Sequence, residues 1–199
     1  MMNKFEDPEK FYTEKLALIG HARVIIDLSL GENIMEGLRE FRNEHARSGY
    51  RVVDMKPKDL NDSASYFTGL QEVATGSADA VVCGSVLDHV PDPFTLIREI
   101  YRVLKPGGMS FIYAPFLYVY HAEKGSYGDY FRFTIDAVRF LFRDFKQLEY
   151  VPIRGRAATI VKMLPRGMLR KLFSPFARLM DRVRPSVNQT SGYYVFVIK

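Results

Sequence analysis

The amino-acid sequence predicts an α/β domain whose sheet is mostly parallel and covered by helices on both faces. Three observations point there: short β-branched runs recur along the chain, stretches of helical spacing separate them, and the connections between the two are short. With 199 residues, 47% hydrophobic and 26% charged, the chain has the ordinary size and composition of one domain spanning 1–199.

Each element has its own signal. Phe11, Leu16, Leu18 and Ile19 after Pro8 predict a leading helix, and Arg23 to Leu28 (RVIIDL) reads as a buried strand. Ile34, Leu38 and Phe41 then repeat at helical spacing until Ser48-Gly49, after which Tyr50 to Asp54 (YRVVD) is a second strand. Beyond the polar Asn61, Asp62 and Ser63, a short strand is expected at Ala64 to Phe67, followed by the clearer Asp79 to Gly84 (DAVVCG). A helix from about Pro93 to Leu104 carries Phe94, Ile97, Ile100, Tyr101 and Leu104 on one face. Lys105-Pro106-Gly107-Gly108 ends it, because proline cannot continue the ladder and glycine accepts the turn. Met109 to Ala114 is the next strand, Tyr118 to Tyr130 a polar loop, Ile135 to Phe142 a helix and Phe145 to Val151 a strand. Met168, Leu169, Leu172, Phe176, Leu179 and Val183 return to helical spacing, with Leu164-Pro165 and Ser174-Pro175 expected to break that stretch into two short pieces. Tyr193 to Ile198 (YYVFVI) is the last strand, so a basic helical insertion, about 157–184, precedes it.

The formal net charge of +5 is unevenly spread: nine basic residues between Val151 and Pro185 face the single acid Asp181, leaving the rest slightly acidic. Apolar residues interleaved with Lys and Arg over 154–184 fit three roles. They are an amphipathic cap on the sheet, a helix lying on an anionic membrane or reaching a lipid-linked substrate, and, with no recognition motif to support it, a phosphate-binding face for nucleic acid. The lone Cys83 cannot form an intramolecular disulfide and falls in an apolar run, which suits a reducing compartment. Met1 to Lys10 lacks the basic-then-apolar order of a leader, so the expected location is cytoplasmic, with peripheral contact at the inner membrane face left open. His21, His45, His89 and His121 are scattered without ligand spacing, so no metal site is expected.

The run DAVVCGSVLDHVPDPFTLIREIYRVLKPGGMSFIYAP, Asp79 to Pro115, resembles strand four through strand five of the class I S-adenosylmethionine (SAM) dependent methyltransferases. An aspartate at the strand start, a His-Val pair after its end, a charged helix into Lys-Pro-Gly-Gly and a closing proline occur in that order. His121 followed by Asp129-Tyr130-Phe131-Arg132-Phe133-Thr134 is similar to the loop after strand five in members associated with saccharide modification. The resemblance implies a three-layer, doubly wound Rossmann-like fold with seven strands, the last antiparallel. It also implies SAM as cofactor and methyl transfer to a hydroxyl of a saccharide or other small metabolite.

By the same resemblance the cofactor side comprises Asp27, Ser29 and Gly31 after the first strand, Asp54 after the second, and Gly84, Ser85 and His89 after the fourth. Asp54 suits the ribose, since two carboxylate oxygens match two adjacent hydroxyl donors. On the acceptor side, the His121 imidazole, with an ordinary pKa of ~6.5, could take the proton that the attacking hydroxyl loses. Asp129 would orient it or bind a sugar hydroxyl, and Tyr130 and Arg132 would position the acceptor, unless Asp129 and Arg132 serve only as a loop latch. The first loop, Asp27-Leu28-Ser29-Leu30-Gly31-Glu32-Asn33, keeps one glycine of the family's alternating set. A second reading therefore stands beside the enzyme: a methyltransferase-like scaffold subunit that binds no SAM.

Overall fold

The computed structural model describes residues 7–31, 36–164 and 167–199, with Glu36 through its backbone. Ile34 of the expected second helix, Glu32 and Asn33 after the glycine, residues 1–6, and Pro165 and Arg166 lie outside the described residues. The elements run α1 (Pro8–Gly20), β1 (Ile25–Ser29), α2 (Glu36–His45), β2 (Tyr50–Asp54), a 3-10 turn (Ser63–Phe67), α3 (Thr68–Gln71), β3 (Ala78–Cys83) and α4 (Pro93–Val103). They continue with β4 (Leu104–Pro115), α5 (Ile135–Leu141), β5 (Gln147–Pro152), α6 (Arg156–Met163), α7 (Met168–Val183) and β6 (Gly192–Ile198).

The six strands lie in the order β2-β1-β3-β4-β6-β5. The pairs β1 with β2, β1 with β3, and β3 with β4 are parallel, while β6 runs antiparallel to both its neighbours. Period-two alternation divides the strand side chains between two cores. Ala80, Val82, Phe111 and Phe196 meet Phe11 and Ile19 of α1 and Leu38 and Phe41 of α2 on one face. Val81, Cys83, Ile112 and Val195 meet Tyr66, Leu96, Ile100 and Val138 on the other. Burial of each large side chain here contributes about 1.5–3 kcal/mol. Burial also pushes the Cys83 thiol up, which keeps it an unreactive core residue.

Local chemistry explains the boundaries. Asp7 caps α1 by accepting from the Glu9 N–H at 3.0 Å, with proline in the first helical turn. Asp92 caps α4 through the Thr95 N–H at 2.9 Å. Asp79 accepts from the Val24 N–H at 2.8 Å and pairs with Lys105, which holds its carboxyl below the usual range and joins the start of β3 to the approaches of β1 and β4. Gly107, with φ at +78°, makes the turn that the Lys-Pro-Gly-Gly motif predicts.

Two expectations are corrected. Ala64 to Phe67 is not a strand, which leaves six strands among the described residues instead of seven. The Asp62 carboxylate accepts from the Ala64 N–H at 3.0 Å, and the Ser65 hydroxyl donates to the Asp59 and Asp62 carbonyls at 2.8 Å, so side chains close the turn that a sheet edge would have opened. Arg102 then fixes the end of α3 and the approach to β3 by donating to the Leu70 and Val73 carbonyls at 3.1 and 2.9 Å. The second correction is that α7 continues through Pro175 instead of breaking at Ser174-Pro175. The helix is exposed along most of its length, so water can satisfy the Lys171 carbonyl that proline leaves without a donor.

Candidate functional site

The parallel strands β1 to β4 end at one edge, where loops have no ladder partner and ligands gather in such sheets. Ser29 and Asp54 stand opposite one another in the β1 to β2 register, at the last residue of each strand. The Ser29 hydroxyl donates to the Gly31 carbonyl at 2.9 Å, and Gly31 sits at φ +93°, where a side chain would meet Lys56 at 2.7 Å. Leu30, bulky by sequence, is buried in the core, so it turns inward and leaves the loop backbone clear. Asp54 is exposed and one of its oxygens accepts from the Lys56 N–H at 3.0 Å. The edge thus offers an exposed carboxylate acceptor opposite a glycine turn.

Other expected cofactor residues are placed differently. Asp27 is buried and shares one oxygen with Arg42 Nε and the Tyr50 hydroxyl, each at 2.7 Å, so it braces α2 and β2. Gly84 is required by packing, since a Cβ there would fall 1.8 Å from Leu38 of α2. Ser85 is half-buried just past β3 and remains at the rim. His89 is buried beneath the edge and donates from Nδ1 to the Gly128 carbonyl at 2.6 Å.

The loop after β4 brings together the expected acceptor residues. The Asp129 carboxylate accepts from the His121 backbone N–H at 2.9 Å and lies 3.2 Å from His121 Nδ1. Arg132 grips the same carboxylate with both Nη atoms, and its Nη2 also donates to the Val119 carbonyl at 3.0 Å. Burial pushes the Asp129 carboxyl up, but the Arg132 guanidinium and the His121 N–H outweigh it and hold it at about 2. Arg132 is thus engaged within its own loop, the arrangement of a latch. Tyr130 is exposed, and its hydroxyl meets that of buried Tyr66 at 3.0 Å.

Sequence reading missed Asp88 and Tyr66. Asp88 lies beside His89, buried, with burial pushing its carboxyl up; its Oδ2 is 3.4 Å from His121 Nε2 and 3.6 Å from His89 Nε2. Scattered in sequence, two of the four histidines meet in space: the rings of His89 and His121 sit 4.6 Å apart. The signal available was the Asp-His pair just after a strand, and the length of chain before His121 hid its partner.

Comparison with known proteins agrees with this architecture. Residues 9–112 match the family described as methyltransferase domain. Ubiquinone biosynthesis O-methyltransferases are similar over 100 residues: the one from Xanthomonas oryzae pv. oryzae (strain PXO99A) at 34% identity and the one from Xanthomonas campestris pv. campestris (strain B100) at 54%. Each match covers 50% of this chain and 36% of the relative, so the chain aligns with about a third of those proteins' length. A SAM dependent methyltransferase from Archaeoglobus fulgidus superposes with a TM-score of 0.59 at 13% identity, over 96% of this chain and 90% of that one, which is a likeness of fold. Because the family match spans more than half of the residues and the sheet order and edge geometry agree with it, the chain belongs to the methyltransferase domain family.

Proposed function

We propose that this chain, read as a single domain over 1–199, is a SAM-dependent methyltransferase that transfers a methyl group to a hydroxyl of a small acceptor. The cofactor of the domain is S-adenosyl-L-methionine, which supplies an activated methyl on a sulfonium. The observation that carries the reading is the shared edge: Ser29, Gly31, Asp54 and Ser85 lie at the strand ends beside the loop that holds His121. Ser29, Gly31 and Asp54 would hold the cofactor, and His121 Nε2 would take the proton that the attacking hydroxyl loses. Asp129 and the Val119 carbonyl accept from His121 Nδ1 and hold the ring. Alignment supplies most of the rate. Exposed rings at Tyr120, Tyr130 and Phe131 flank this side and suit stacking on a saccharide face.

The experiment is calorimetry with SAM and S-adenosylhomocysteine. Saturable binding is expected, with Asp54→Ala weaker by about tenfold or more through loss of two hydrogen bonds. An absence of binding at about 1 mM would favour the scaffold reading.

The partner we propose for the basic segment is an anionic membrane surface, with the enzyme peripheral to the cytoplasmic face. No helix among the described residues is long and apolar enough to cross a membrane. However, α7 does not lay its apolar side on the sheet. Among its described residues Ala177 alone is buried, while Met168 is 84% and Phe176 62% exposed. Between α6 and α7 a cleft of about 260 Å³ is lined by Arg154, Lys162, Arg170, Ser174 and Arg178, which suits lipid phosphates. The chain is expected to float with vesicles containing anionic lipid, and Leu172→Asp with Phe176→Asp to abolish this. Equal flotation of the variant would remove the proposal.

A further inference from the structure

Three acceptor atoms converge at the acceptor side in a way that methyl transfer alone does not require. His89 Nδ1 is 2.6 Å from the Gly128 carbonyl, and a carbonyl only accepts, so Nδ1 carries a proton and, in the neutral ring, Nε2 keeps its lone pair. His121 Nδ1 faces the Val119 carbonyl at 3.0 Å and an Asp129 oxygen at 3.2 Å, both acceptors, so its Nε2 also presents a lone pair. One ligand atom from each of Asp88, His89 and His121 lies within 4.8 Å of the other two, and Asp88 Oδ2 is 3.6 Å from His89 Nε2 and 3.4 Å from His121 Nε2. The Asp88 side chain is 2% exposed and its Oδ2 accepts no hydrogen bond among the described residues. Two lone pairs and a buried carboxylate repel unless positive charge joins them. Arg132 Nη1 stands 4.0 Å from Asp88 Oδ2 and is already committed to Asp129.

We propose that Asp88, His89 and His121 form a binding site for one divalent first-row transition ion of the zinc kind. Metal–ligand bonds of about 2.1 Å at tetrahedral angles place donor atoms about 3.4 Å apart. The carboxylate oxygen is 3.4 Å from one imidazole nitrogen and 3.6 Å from the other. Each imidazole donates its remaining N–H to a carbonyl, the outer contact that fixes the tautomer of a metal-ligating histidine. Two nitrogens and one oxygen favour zinc, cobalt or their neighbours over magnesium and calcium, which take all-oxygen sites. His121 is 35% exposed while His89 is 4% exposed, so solvent or an acceptor reaches the site from the His121 side, where a fourth position opens.

The ion binding stands on geometry alone; its consequence rests on the methyltransferase reading. In the loaded site the ion uses the lone pair that His121 otherwise offers to the acceptor proton. A hydroxyl in the fourth position would lose its proton to water through direct coordination.

The test is titration of the chelated, then desalted, full chain with Co2+, read by visible absorption and by calorimetry with Zn2+ in competition. One ion per chain is expected, with tetrahedral cobalt bands that Zn2+ removes. His121→Ala and Asp88→Asn should each weaken binding by about 100-fold or more. His121→Ala, at a part-exposed position, decides the outcome if Asp88→Asn does not fold. The proposal is overturned by a lack of saturable binding up to about 1 mM, or by affinities within about threefold of the parent in a folded His121→Ala. SAM binding measured on the same samples separates the two readings: metal binding without SAM binding keeps the site and removes the enzyme, and the converse removes the site.

Discussion

Arg132→Ala is expected to lower stability by about 3 kcal/mol, because it leaves the Asp129 carboxylate buried without its partner. The Asp129 side chain is 0% exposed, whereas Arg132 is 26% exposed, which places the cost toward the lower end for a broken buried pair. Chemical denaturation should show an earlier midpoint with an unchanged slope. The same substitution removes the bonds from Arg132 to the Tyr118 and Val119 carbonyls, at 3.4 and 3.0 Å, so the His121 loop loses its latch as well. Adding Asp129→Asn should restore part of the loss, since no charge is then stranded. Equal stability of the single variant and the parent would show that the pair is already solvated.

The second large effect belongs to Gly49→Ala, at the turn into β2. Gly49 has φ at +94°, and a Cβ there would lie 2.2 Å from the Arg23 carbonyl oxygen, which is backbone and cannot rotate away. The left-handed conformation costs about 1 kcal/mol, and the overlap raises the total to about 3 kcal/mol or more. Gly76→Ala provides the comparison. Its φ is also positive, at +61°, but nothing lies within 4 Å, so it should cost about 1 kcal/mol. A thermal melt of both variants checks the pair; equal shifts would mean that the Arg23 carbonyl moves aside without cost.

The legible parts of the sequence were those whose physics is local. The β-branched runs at Ile25–Ser29, Tyr50–Asp54 and Ala78–Cys83 and the Lys-Pro-Gly-Gly turn carry their conformation in adjacent residues. Ala64 to Phe67 misled because Tyr66 and Phe67 are apolar for burial against the sheet, while the polar Asp62 and Ser65 close a 3-10 turn. At the edge where β1 and β2 end, the family resemblance pointed to Ser29, Gly31 and Asp54 but could not show that Leu30 turns inward or that Arg42 and Tyr50 occupy Asp27. Both depend on where α2 packs. The juxtaposition of Asp88, His89 and His121 was illegible because strand adjacency, not chain distance, brings them together.

The sheet order sets the timing of assembly. The strand that comes last in sequence, β6, pairs Met109 with Ile198 on one side and Gln147 with Ile198 on the other. The four parallel strands can associate first, but β5 has no neighbour until β6 inserts, so its ladder groups stay open throughout that interval. Loop closure over so many residues is slow, and an unpaired edge meanwhile is where one chain can capture another. Refolding yield should therefore fall with protein concentration more steeply than the native stability alone would suggest.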